Sequence, residues 1–205
     1  MLVEELLELA DTVCRLKAET QTVEVKSARE GCPRRLYDTL SSFSNQDSGG
    51  TLLFGIDETA GFVPVGVYDL QDLQKRVTEQ CNQMEPPVRA VFTVAEYEGK
   101  PICAAEIPAL DLAERPCYYR GHGKVKGSFV RVGDGDLPMT DYELYRYEAF
   151  RRHLHDDERP VERATLTVFE QDKLQTYLAK RRAARPGLAQ LPLEQQYEML
   201  SVTRD

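Results

Sequence analysis

The chain has 205 residues, 41% of them hydrophobic, and 34 Asp+Glu against 26 Lys+Arg give it a formal net charge of -8. That length can bury one good core, or a core plus an appendage, and the composition excludes a disordered chain. No apolar run approaches the roughly 18 residues of a spanning helix and the N-terminus is acidic, which argues against a membrane span or a secretion signal, while the negative balance argues against a nucleic-acid-coating protein. Five cysteines, Cys14, Cys32, Cys81, Cys103 and Cys117, form an odd set without C-x-x-C spacing. Reduced thiols and a cytoplasmic location are expected, not a disulfide frame or a zinc site.

In chain order, Leu2, Leu6, Leu9, Val13 and Leu16 recur at helical spacing and predict an amphipathic first helix. Thr22 to Ser27 alternates, with Val23 and Val25 on one face and Glu24 and Lys26 on the other, as in a half-buried strand. Pro33 suits the first position of a second helix carrying Leu36, Leu40 and Phe43 and ending near Asn45. Gly49-Gly50 turns the chain into Thr51 to Ile56, apolar enough for a central strand. Gly61 to Val67 reads as a turn and short strand, and Asp69 caps a helix through Leu70, Leu73, Val77 and Cys81. Val88 to Tyr97 and Pro101 to Pro108 form a hairpin around Glu98-Gly99-Lys100. Cys117 to Arg120 and Ser128 to Val132 are short strands joined by a glycine-rich basic loop, Gly121 to Gly127. Thr140 caps a helix running to about His155; a polar break at Asp156 to Pro160 and a further helix from Glu170 to Arg182 follow. Interspersed strands and helices with several hairpins predict an α+β fold, a mixed, largely antiparallel sheet of about six strands flanked by helices.

Three segments together resemble the Schlafen-type AlbA_2 domain, over roughly residues 1–150. They are Glu19, Glu24, Val25 and Lys26; then Ser42, Phe43, Ser44, Asn45, Gly49, Gly50, Leu52, Gly55 and Asp57; then Tyr119, Gly121, Gly127, Ser128, Arg131, Val132 and Gly133. Val25 stands where the family usually has Phe, Ser42 and Ser44 stand for alanines, and the loop from Asn45 to Gly49 is one residue longer. The resemblance implies the N-terminal DNA-binding domain of a bacterial transcriptional regulator, related to Schlafen proteins. It also implies that a regulatory region and a winged helix follow, so this sequence is expected to be part of a longer protein: an AlbA_2-like domain at 1–155, then a linker and helical segment at 156–205.

In Schlafen relatives that cleave tRNA, two glutamates at this spacing and an aspartate carry catalysis. The resemblance transfers those roles to Glu19, Glu24 and Asp57. Three close carboxylates repel one another, which raises a pKa or recruits a divalent cation, and oxygen-only ligation favours Mg²⁺ or Mn²⁺ as cofactor. The plainer alternative pairs Glu24 with a neighbouring lysine and makes Asp57 the cap of a turn beside Gly61.

From Arg115 to Gly133 the chain carries Arg115, Arg120, Lys124, Lys126 and Arg131 with no acidic residue. Interleaved with Tyr118 and Tyr119, these cations suit phosphate contact and base stacking. A nucleic-acid surface of Lys26, Arg29, Arg34, Arg35, Arg115, Tyr119, Arg120, Lys124, Lys126 and Arg131 is therefore expected, with DNA or RNA as partner. The alternatives are a metal-dependent endoribonuclease acting on tRNA-like RNA, and a regulatory or oligomerisation domain forming a homodimer.

Overall fold

The computed structural model describes residues 1–151, 165–200 and 202–203. Contacts divide the chain into two units, Met1–Arg151 and Arg152–Asp205.

In the first unit, α1 (Val3–Leu16) precedes β1 (Val23–Lys26), α2 (Tyr37–Asn45) and β2 (Gly50–Phe54). The helix between them lets β1 and β2 pair in parallel, with Glu24 opposite Leu52 and Lys26 opposite Phe54. A short hairpin of β3 (Ile56–Asp57) and β4 (Val63–Pro64) leads to α3 (Leu70–Cys81) and β5 (Met84–Glu85). The hairpin of β6 (Val91–Tyr97) and β7 (Lys100–Ile107) then adds β7 antiparallel to β2, giving the sheet order β1-β2-β7-β6. The remaining strands pair two by two: β5 with β8 (Tyr118–Tyr119), and β9 (Phe129–Val132) with β10 (Gly135–Pro138). Between β8 and β9 lies a short helix, α4 (Gly123–Gly127), where the sequence predicted a loop.

The alternation of strand side chains sorts the core into two layers. Val23, Val25, Leu53, Ile102 and Ala104 point to one face, where Leu6, Ala10 and Val13 of α1 cover them. Leu52, Phe54, Cys103, Ala105 and Ile107 point to the other, under Leu40 and Phe43 of α2 and Leu73 and Val77 of α3. Each fully buried Leu or Phe here stabilises the fold by roughly 1.5–3 kcal/mol through removal from water. The predicted stripe of α1 is shorter than its period, since Leu2 and Leu16 remain exposed at its ends.

Helix α2 begins at Tyr37, not at Pro33. The Gln80 amide explains the delay: it donates to the Pro33 carbonyl (2.8 Å) and accepts from the Leu36 amide (2.9 Å), holding the segment off the helix. Asp69 caps α3 by accepting from the Asp72 amide (2.7 Å). Thr140 and Glu143 form a reciprocal capping box before α5 (Asp141–Arg151). The expected continuation to His155 and the expected linker at 156–160 lie outside the described residues.

The second unit holds α6 (Gln171–Ala184), a 3-10 turn (Pro186–Gln190) and α7 (Leu193–Met199) around Leu174, Leu178 and Tyr197. Among the described residues no helix is long and apolar enough to cross a membrane.

Candidate functional site

Strand β1 is an edge strand. Its inner residues, Val23 and Val25, are committed to α1, so Glu24 and Lys26 face the α2 side of the sheet. Among the described residues no apolar helix covers them there. The β9–β10 ribbon does, and it brings Arg131. The Arg131 side chain is 1% exposed, and its Nη2 lies 2.8 Å from Glu24 Oε2 and 3.9 Å from Glu19 Oε2. Its Nη1 lies 3.0 Å from Asp136 Oδ1, and its guanidinium sits over the Phe43 ring at 5.1 Å. Asp136 is directly opposite Arg131 in the ribbon, the closest cross-strand position. Lys26 Nζ donates to the remaining oxygen of Glu24. Ser42 and Thr39 of α2 each donate to Asp136 at 2.6 Å. Ser42, the departure from the family's alanine, thus has a partner that a methyl group could not serve.

Glu19 accepts the Val25 amide at 2.6 Å. Burial pushes its carboxyl up to about 7, with the Glu24 charge adding to the rise and the Val25 hydrogen bond opposing it. A carboxyl in this range exchanges its proton near neutral pH.

Asp57 has partners of its own. It lies past the end of β2, in β3, and its Oδ1 accepts from the Thr59 amide (2.9 Å), the Thr59 hydroxyl (2.7 Å) and the Ala60 amide (3.3 Å). These bonds, the Thr59 hydroxyl foremost, hold its carboxyl below the usual range. Of the three carboxylates expected to converge, Glu19 and Glu24 face Arg131, which also pairs with Asp136, while Asp57 is engaged by its own turn. Among the described residues no three His, Cys, Asp or Glu side chains are grouped to hold a metal ion. Both Glu24 oxygens accept from protein donors, Lys26 and Arg131, and Asp57 Oδ1 accepts from Thr59 and Ala60.

The basic segment splits. Arg131 is corrected from the nucleic-acid surface to the interior, and so is Arg115. Arg115 is buried, with Nη1 2.7 Å from Asp47, Nη2 donating to the Gln46 carbonyl (3.2 Å) and Nε to the Leu110 carbonyl (2.9 Å). It grips the lengthened loop after α2. Asn45 fastens the same region, accepting the Cys117 amide (2.7 Å) and donating to the Cys117 and Phe129 carbonyls. Sequence reasoning assigned Asn45 no partner, because its partners are backbone groups remote in the chain.

The exposed cations lie elsewhere. Tyr119 stacks on Tyr37 with ring centroids 3.8 Å apart and planes 16° from parallel, and His122 meets Tyr119 edge-on. Tyr37 donates its hydroxyl to Gln83 Oε1 (2.9 Å), while Arg120 donates to the Asn82 and Gln83 carbonyls and Arg89 to Asn82 Oδ1. Asn82-Gln83 is thus the node that joins Tyr37 to Arg120 and to Arg89. Arg34 and Arg35, just before Tyr37, are exposed, with Arg35 ion-paired to Asp38. Arg29 and Lys126 are exposed and Lys124 half-buried. Tyr37 and Arg89 were not among the expected contacts; only the fold places them here.

The mixed sheet between helix layers defines the class, an α+β domain. The chain belongs to the Schlafen, AlbA_2 family, whose pattern matches residues 19–140. Among solved structures it is similar to the N-terminal domain of a RecG-related protein from Nitrosomonas europaea. That likeness has 24% identity and a TM-score of 0.51, covering 66% of this chain and 93% of the other. It is also similar to the DIP2311 protein from Corynebacterium diphtheriae, with 19% identity and a TM-score of 0.45, covering 94% of this chain and 42% of that one. The first of these likenesses concerns the fold alone. No curated protein matches the sequence.

Proposed function

We propose that the first unit is a nucleic-acid-binding module, and that it binds through the surface around the Tyr37–Tyr119 stack. The observation that carries this reading is the joining of two remote cationic segments, 29–37 and 119–126, by that stack and by Asn82-Gln83. Exposed guanidinium and ammonium groups supply phosphate contacts, and tyrosine faces supply sequence-tolerant stacking. Membership of the Schlafen, AlbA_2 family supports the same reading, and service in a DNA-directed transcriptional regulator is the role it fits. Fluorescence anisotropy with labelled DNA and RNA oligonucleotides over a salt series tests it. The expected result is binding that weakens linearly in log K against log salt, with Lys126→Ala lowering the slope by about one. Salt-independent binding, or none to either nucleic acid, ends the proposal.

A second reading, an endoribonuclease, is favoured by one observation: Glu19, held up at about 7, lies beside Glu24. Its test is cleavage of a tRNA panel with and without EDTA. Cutting that survives EDTA and is lost in Glu19→Gln supports it; intact RNA under all conditions rejects it.

A further inference from the structure

We propose that the acidic site of this chain is built around a resident guanidinium: Arg131 occupies the place a divalent cation would take, so the site neither requires nor admits Mg²⁺ or Mn²⁺. This inference stands apart from nucleic-acid binding and concerns what fills the carboxylate cluster.

Glu24 gives one oxygen to Arg131 and the other to Lys26. Asp136 gives Oδ1 to Arg131 and Ser42, and Oδ2 to Thr39. Glu19 gives Oε1 to the Val25 amide. Only Glu19 Oε2 is without a hydrogen bond, and even it faces Arg131 at 3.9 Å. Mg²⁺ demands near-octahedral oxygen ligation at about 2.1 Å, usually keeping several waters, and one half-engaged oxygen offers too little.

Charge gives the same answer. Arg131 and Lys26 together bring two positive charges to the cluster, the charge of one divalent ion. A metal arriving beside the guanidinium would meet a like charge at short range in a buried setting, where screening is weak. Geometry favours the guanidinium as well. Its planar fork, with donors fixed in two directions, reaches Glu24 on β1 and Asp136 on β10 at once. A point cation would draw both carboxylates inward and break the Ser42 and Thr39 bonds.

Calorimetric titration and thermal melts with MnCl₂ and MgCl₂ test the proposal. For the unaltered chain the expected result is no saturable heat and a Tm that moves by less than about 1 °C up to about 5 mM metal. Arg131→Ala removes the resident cation and leaves the carboxylates; Mn²⁺ is expected to raise its Tm by several degrees, a gain lost when Glu24→Gln is added. Stoichiometric Mn²⁺ binding by the unaltered chain that Glu24→Gln abolishes would overturn the proposal. So would a folded Arg131→Ala variant indifferent to Mn²⁺. Should that variant fail to fold even with metal, the titration of the unaltered chain decides alone.

Discussion

Arg131 and Arg120 come from one basic stretch of sequence yet serve opposite regions. Arg131 is sealed among Glu24, Glu19 and Asp136, whereas Arg120 is exposed beside the tyrosine stack. The difference lies in what the backbone does around each. Arg131 belongs to a ribbon laid over an edge strand that presents carboxylates, while Arg120 follows a two-residue strand and is exposed. A run of cations is therefore not one patch. Some members neutralise the interior while others stay at the surface.

The contrast can be broken most directly at Arg131. Arg131→Ala removes the guanidinium that Glu24 and Asp136 share and is expected to cost about 3–5 kcal/mol in denaturant unfolding; a loss below about 1 kcal/mol would erase the distinction between the regions. Arg115→Ala, which strands the Gln46 and Leu110 carbonyls, is expected to cost about 1–3 kcal/mol by the same measurement.

Glu19 sharpens the comparison through pH. Folded, its carboxyl titrates at about 7, against 4.5 unperturbed. Between those values the folded chain holds a proton that the unfolded chain has lost. This contribution to stability is full below about 4.5 and is lost as pH rises through 7. Allowing for solvent screening, the loss is on the order of 1–2 kcal/mol. The groups that set it are Glu24, Lys26 and Glu58, with the Val25 amide donating and Arg131 alongside. Melts at several pH values should show the slope, and Glu19→Gln should flatten it.

On the exposed side, Arg34→Ala and Lys126→Ala are expected to change stability by no more than about 0.5 kcal/mol while weakening oligonucleotide retention. Melting and anisotropy on the same samples separate the two effects.

What the sequence makes legible follows from local rules. Strand β1 shows its two faces through Val23, Glu24, Val25 and Lys26, and the β6–β7 hairpin shows itself through Glu98-Gly99 between alternating runs. Asp69 announces α3. The pairing of Glu24 with Lys26, and Asp57 as the holder of its own turn, were the plainer reading of those residues. Asp136 was hidden because only the β9–β10 register sets it against Arg131. The start of α2 was hidden because Gln80, far along the chain, decides it. Tyr119 was expected at the nucleic-acid surface, but its partner Tyr37 was hidden until the fold stacks the two rings.

Gly50 reaches further than a turn. A methyl group there would lie 2.4 Å from the Phe43 ring, the same ring that floors the Arg131 guanidinium. A single added carbon would tip that floor and disturb ions with which Gly50 has no bond of its own. The double glycine in the sequence thus writes, at a distance, where the molecule keeps its hidden positive charge.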